Sequence, residues 1–214
     1  MNRRGVLGIF GVACVLTVAG CATTGYQRAN KAGAGMTALR QELMFGRQQV
    51  TRTLNALNGL VGSEVGDLLP KYKAFESEVA RLNKSGNNAS WLAAVMRSNT
   101  AAYFEQWGKE IETIQNPQVR AESAKRRSET MRSYQQIEGP AREAAAAYDP
   151  LLRDLRDIQS HLKQDLTARG IAGARGFVST ATQDAAALQQ KIGAVVGELD
   201  RIASELNTQA ATGR

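Results

Sequence analysis

From Met36 to Leu206 the apolar side chains return every three or four positions, with few gaps. That spacing marks one face of a helix, whereas a strand would alternate by two. In the first half the seam runs through Met36, Leu39, Leu43, Val50, Leu54, Leu57, Val61, Val65, Leu68, Tyr72, Phe75, Val79 and Leu82. In the last part it is cleaner: Ala181, Ala185, Leu188, Ile192, Val195, Leu199, Ile202 and Leu206 step alternately by four and three. A stripe of this kind is buried by packing against another helix. The expected fold is therefore all-α, built from long antiparallel helices in coiled-coil-like contact.

Punctuation decides how many helices there are. Asn83 to Ser90 (NKSGNNAS) reads as a turn, with Gly86 as a C-cap and Ser90 as an N-cap. Gly170 to Gly176 (GIAGARG) reads as a second turn. Pro70 is expected to kink or briefly interrupt the first helix. Asn116-Pro117 can start a helix, with Asn as N-cap and Pro at the first helical position, or kink a longer one. Gly139-Pro140 and Asp149-Pro150 pose the same choice. The turns give helices over 36–83, 91–169 and 177–207, roughly 70, 120 and 45 Å long. The first and last together match the middle, which favours an elongated three-helix rod within a single helical domain, 36–207. A compact four- or five-helix bundle, broken at the prolines, is the alternative. Residues 208–214 are expected to fray.

The start of the chain has a different character. Arg3 and Arg4 precede an apolar run, Gly5 to Val18, that is shorter than the about 20 residues a membrane-spanning helix needs. Small residues then lead directly to a cysteine in Val18-Ala19-Gly20-Cys21. This is the order of a lipoprotein signal peptide, residues 1–20, ending in a lipobox. Small side chains at Ala19 and Gly20 admit the peptidase, and the Cys21 thiol takes the diacylglycerol. Plain secretion with cleavage near Ala22 to Thr24, and a retained anchor, are the competing readings. Residues 21–35 then form the lipidated cysteine and a small, polar, flexible tether. Ala22, where an Asp would favour retention at the inner membrane, points to the outer membrane.

Only two cysteines occur. Cys14 leaves with the signal and Cys21 is consumed by lipid, so the exported chain has no thiol for a disulfide, a metal or a nucleophile. The net charge of +7 is mild and interspersed with acids, the mark of a solvated, partly paired helix surface. The cluster Lys125-Arg126-Arg127 offers attraction to an anionic envelope polymer such as peptidoglycan, and nucleic acid is excluded as a partner for an exported chain. Asp157 and the single histidine, His161, stand one turn apart, but no second histidine or cysteine completes a metal site. Elbow, phosphate-loop and dinucleotide motifs are absent. No catalytic residue, cofactor or metal is expected, and the chain is read as a non-enzyme. Trp91 and Trp107 are read as core or helix-seam anchors.

Between Phe104 and Ile171 the residues form one pattern: Phe104, Trp107, Glu110, Asn116, Arg120, Ser123 and Tyr134, then Pro150-Leu151-Leu152, Asp157, Leu162-Lys163, Leu166 and Ala168-Arg169 with Ile171. The pattern resembles the uncharacterised bacterial envelope proteins grouped as domain of unknown function 2959. The resemblance implies an exported, largely helical protein and carries no activity to transfer. The expected role is a non-enzymatic scaffold or interaction lipoprotein of the cell envelope, facing the periplasm.

Overall fold

The computed structural model describes residues 25–63 and 68–212. The fold is all-α: helices α1 (Gly25–Val61), α2 (Leu68–Glu112), α3 (Pro117–Gln135), α4 (Glu138–Gln164) and α5 (Ala168–Thr212), with no strand among the described residues. α3 and α4 together act as one rod. Trp107 and Phe104 of α2 meet Ser123 and Arg127 of α3, while Leu82 and Tyr72 meet Tyr148 and Gln159 of α4. The antiparallel register thus continues across the break at Gln136–Ile137 to within one residue. α1 packs on α2 and on α5, and α5 packs on α4. The result is an up-down-up-down arrangement of four rods in a ring. α2 and α5, at 45 residues each, are about 67 Å long.

Each break has a local cause. After α1, Gly62 and Ser63 close the helix with bonds to the carbonyls of Asn58 and Leu60. Pro70 then falls in the first turn of α2, where its missing N–H costs nothing. The Asn116 side chain caps α3 by accepting from the N–H groups of Gln118 and Val119, at 2.9 and 3.2 Å, with Pro117 at the first position. Pro140 cannot donate to the carbonyl of Gln136. The chain there tightens, with Gln136 and Ile137 bonding the carbonyls of Ser133 and Tyr134 three residues back. Pro150 lies inside α4 and does not end it.

Several sequence expectations change. Residues 83–90 are not a turn but the middle of α2. Gly86 is a notch, since a Cβ there would overlap the Tyr148 ring. Ser85 is buried and donates to the Glu42 carboxylate at 2.6 Å, and Asn83 accepts from Arg156. Residues 170–176 are likewise helical. The turn lies at 165–167, where Thr167 donates to the Asp165 carboxylate and accepts from Gly170 N–H. A Cβ at Gly170 would overlap the Asp165 carbonyl oxygen, so this glycine permits a three-residue corner without itself being the turn. The single central helix expected over 91–169 is interrupted after Glu112 and at Gln136–Ile137. The chain has the segmentation of the five-helix alternative, not of the three-helix rod.

α1 also begins at Gly25, so most of the stretch expected to be tether is helix. Its small residues serve close packing: Ala32 is fully buried, and a Cβ on Gly35 would stand 3.4 Å from the Met96 backbone. Arg28 reaches across to Glu110. At the other end α5 continues to Thr212, through Ala210 and Ala211, in place of a frayed tail from residue 208. Trp91 is 65% exposed and anchors nothing, whereas Trp107 is half-buried.

The core divides into two clusters along the ring. One gathers Val50, Leu57, Phe75, Leu82, Leu155, Ile158 and Leu188, and the other Met36, Leu39, Met96, Phe104, Tyr134, Leu199 and Ile202. All the seam positions of the last helix from Ala181 to Ile202 are buried, as the heptad predicts.

Glycine substitutions separate the two uses of this residue. Gly197 has open space around its Cβ position, so Gly197→Ala is expected to stabilise by about 0.5–1 kcal/mol. Gly170→Ala is expected to destabilise by about 1–3 kcal/mol, because the corner must move. Urea denaturation of both variants measures the difference in sign.

Candidate functional site

The lipobox residues Val18, Ala19, Gly20 and Cys21 lie outside the described residues. Of the other sequence candidates, Asp157 is exposed and His161 does not meet it in any ligand set. The His161 Nε2 is 3.1 Å from the Gly170 carbonyl oxygen, which ties α4 to the start of α5. No group of three His, Cys, Asp or Glu side chains placed to hold a metal occurs among the described residues. Glu76 and Glu78 accept from Gln159 and Gln49, and Glu110 from Arg28 and Gln106. Apart from Gln106, which lies one turn before Glu110 in α2, these are structural partners across helices.

Cavities open in the ring among the described residues. The first, about 790 Å³, lies at the waist where the two core clusters meet. Its walls are Leu39, Leu43 and Val50 of α1, Leu82 of α2, and Leu188, Ile192 and Val195 of α5. Its mouth lies along the α2–α4 seam, where Ala89 and Ala93 stand opposite Ala141, Ala144 and Ala145. Larger side chains hold this seam at both ends. Above, Phe104 and Tyr134 pack edge to face with ring centres 5.5 Å apart. Below, Tyr148 enters the Gly86 notch and its hydroxyl donates to the Leu82 carbonyl at 3.3 Å. The alanines between cannot span the gap that the rings set.

The second cavity, about 710 Å³, lies at the end where α1 begins. Tyr103, Trp107 and Tyr134 form one wall, and Arg126, Thr130, Arg40 and Asp200 line the rest. Arg40 and Asp200 pair with each other at 2.5 Å. The aromatic wall is continuous, since Tyr103 also contacts Phe104 and Trp107.

The residues of the signature segment meet around this corner. Trp107 Nε1 donates to Ser123 Oγ at 3.1 Å, Phe104 meets Tyr134, Glu110 pairs with Arg28, and Asn116 caps α3. Arg120 donates through Nε and Nη2 to the Ile114 carbonyl at 2.9 and 2.6 Å, closing the last turn before the corner. A family model, described as a protein of unknown function (DUF2959), matches residues 25–206. The chain belongs to this family. Comparison with curated proteins and with solved structures finds no match.

In this DUF2959 chain the basic cluster of the sequence is divided by the fold. Lys125 and Arg126 are exposed, and Arg126 faces the second cavity. Arg127 turns inward, where its Nε donates to the Phe104 carbonyl at 2.8 Å. Glu122 and Arg126, one turn apart, form no ion pair among the described residues. At the other end of the ring Asp154 of α4 faces Asp184 of α5. Burial first, and then the charges of Asp184 and Asp157, raise the Asp154 pKa.

That raised value has a consequence for stability. The folded chain holds a proton on Asp154 more tightly than the unfolded chain does, so the ionised group opposes folding at neutral pH. Asp154→Asn is expected to raise the melting temperature at pH 7. The gain shrinks as pH falls through the folded-state pKa and is gone below the ordinary carboxylate value of about 3.9. Melting curves of both proteins across this range provide the check. The tyrosines act in the opposite range. Burial pushes Tyr134 and Tyr148 up to about 12, while an unfolded tyrosine ionises near about 10. Their contribution is complete below pH 10 and is lost as pH rises towards 12. An ultraviolet absorbance titration is expected to show late-ionising phenols, with Tyr134 and Tyr148 among the last, followed by unfolding.

Proposed function

We infer that this DUF2959 protein is a lipid-anchored envelope protein facing the periplasm, with a non-enzymatic scaffold or interaction role. The observation that carries this reading is the order of Arg3-Arg4, the apolar run Gly5 to Val18, and Val18-Ala19-Gly20-Cys21. Cys21 stands close before Gly25, where α1 starts. Three intervening residues reach at most about 14 Å from cysteine to helix. On this reading the end of the ring with the α2–α3 corner rests near the headgroups. The end of α1 at Val61 and the turn at 165–167 then stand away from the lipid by about the length of α1, on the order of 55 Å. No described helix is long and apolar enough to cross a membrane, and attachment through acyl chains does not require one. Two or more chains hold a protein stably at about 0.8 kcal/mol per buried methylene. Ala22 favours the outer membrane. Replacing Cys21 by Ser tests the anchor. The protein is expected to leave the sedimenting membrane fraction, and a variant that stays there with its signal removed would overturn the lipid attachment.

Exposed Lys125 and Arg126, beside a cleft walled by Tyr103, Trp107 and Tyr134, support a second reading: binding of peptidoglycan or another anionic envelope polymer. Charge-driven binding weakens with salt. The wild type is expected to co-sediment with purified sacculi at low salt and to release at high salt, and Lys125→Ala with Arg126→Ala to bind less. Absent or salt-independent co-sedimentation removes this reading.

A further inference from the structure

We propose that the waist cavity binds a single-chain amphiphile with a zwitterionic head, a phosphate beside an ammonium, as in a lysophospholipid. The volume, about 790 Å³, lies in the range of small-molecule sites, which bundles form between their helices. The inner walls are mainly leucine, valine and isoleucine from three helices, with the Ser85–Glu42 pair as a polar contact beside them. Apolar walls of this kind give water few hydrogen-bond partners and accept apolar ligands. The cavity is built into the frame. Ring contacts at Phe104–Tyr134, between α2 and α3, and at Tyr148–Gly86, between α2 and α4, set the distance of α2 from the α3–α4 rod on either side of the mouth, and the alanines between leave it unfilled.

The rim selects the head. Arg97, Glu138, Arg142 and Asp149 line the mouth. In the α2–α4 register they fall in that order along it, so positive and negative charges alternate. Glu42 is already engaged by Ser85 at 2.6 Å. Neither arginine has an ion-pair partner among the described residues, and no acid at the mouth is bonded to either. A head with only a carboxylate would meet Glu138 or Asp149 as well as an arginine. A phosphate and an ammonium held a few bonds apart satisfy neighbouring rim charges of both signs, and the chain enters the apolar interior below them.

The test uses the full chain held in a nonionic amphipol. A lysophospholipid with a photoreactive diazirine near the chain terminus is added and irradiated, and the adducts are located by mass spectrometry. Adducts are expected on α1 around Leu43 and on α5 around Ile192. Ala144→Phe fills the cavity and is expected to abolish them without lowering the melting temperature. Should that variant fail to fold, Ala141→Leu narrows the same wall and carries the comparison. Adducts elsewhere, or adducts unchanged by a folded cavity-filling variant, overturn the site. Competition by a lysophospholipid, a fatty acid and a monoacylglycerol of equal chain length tests the head. The zwitterion is expected to compete best, and Arg97→Gln with Arg142→Gln to weaken it roughly tenfold, to the level of the neutral monoacylglycerol. A fatty acid or monoacylglycerol that competes as well as the zwitterion overturns the head assignment.

Discussion

The antiparallel pairing of α2 with the α3–α4 rod sets the geometry of everything else. It spans the full length of the ring and is clamped by aromatic rings at two levels, Phe104 against Tyr134 towards the α2–α3 corner and Tyr148 in the Gly86 notch at mid-length. Edge-to-face pairs contribute about 0.5–1.5 kcal/mol beyond their buried area. Their larger effect here is positional. Two rods held apart at fixed points can close between those points only if the intervening side chains are large enough. Alanines are not, and the cavity follows. α1 and α5 complete the ring by packing on each other and on the two partners of the clamp.

The periodicity of the chain was sufficient for the fold class and for most of the core, because burial on one helix face leaves a direct trace at threes and fours. The seam from Ala181 to Ile202 is buried at each position. Asn116-Pro117 was legible for a similar reason, since the cap and the proline are local devices with one geometry. Glycines misled where their cause was distant. Gly86 makes room for a ring more than sixty residues later in the chain, and Gly170 makes room for the carbonyl of a preceding turn. Neither glycine adopts a turn. Helix propensity read along the chain cannot distinguish a glycine that bends the backbone from one that vacates space for a neighbour. The start of α1 was obscured in the same way, because Gly33, Ala34 and Gly35 look like linker until Met96 is seen beside Gly35.

The candidate sites differ in how they are written. The proposed lipobox is contiguous, and reading it needs no fold. The waist cavity is assembled from four rods, and its decisive feature is a set of alanines facing other alanines across a seam. In the sequence Ala144 to Ala147 is only a good helix segment. Nothing local marks it as the wall of a cavity, and Arg97 and Arg142 are far apart until the register brings them to one mouth.

The residues that carry the family resemblance serve the frame. Trp107, Ser123, Asn116, Arg120, Phe104 and Tyr134 each complete a cap, a carbonyl or a ring contact at the α2–α3 corner. Each already has its partner within the chain and so helps to hold that corner, while Trp107 and Tyr134 also line the second cavity. Surfaces with unspent capacity lie elsewhere: the alternating charges at the waist, exposed Lys125 and Arg126, and Trp91, with 65% of its surface exposed to solvent. Membership of DUF2959 therefore speaks to architecture through the corner.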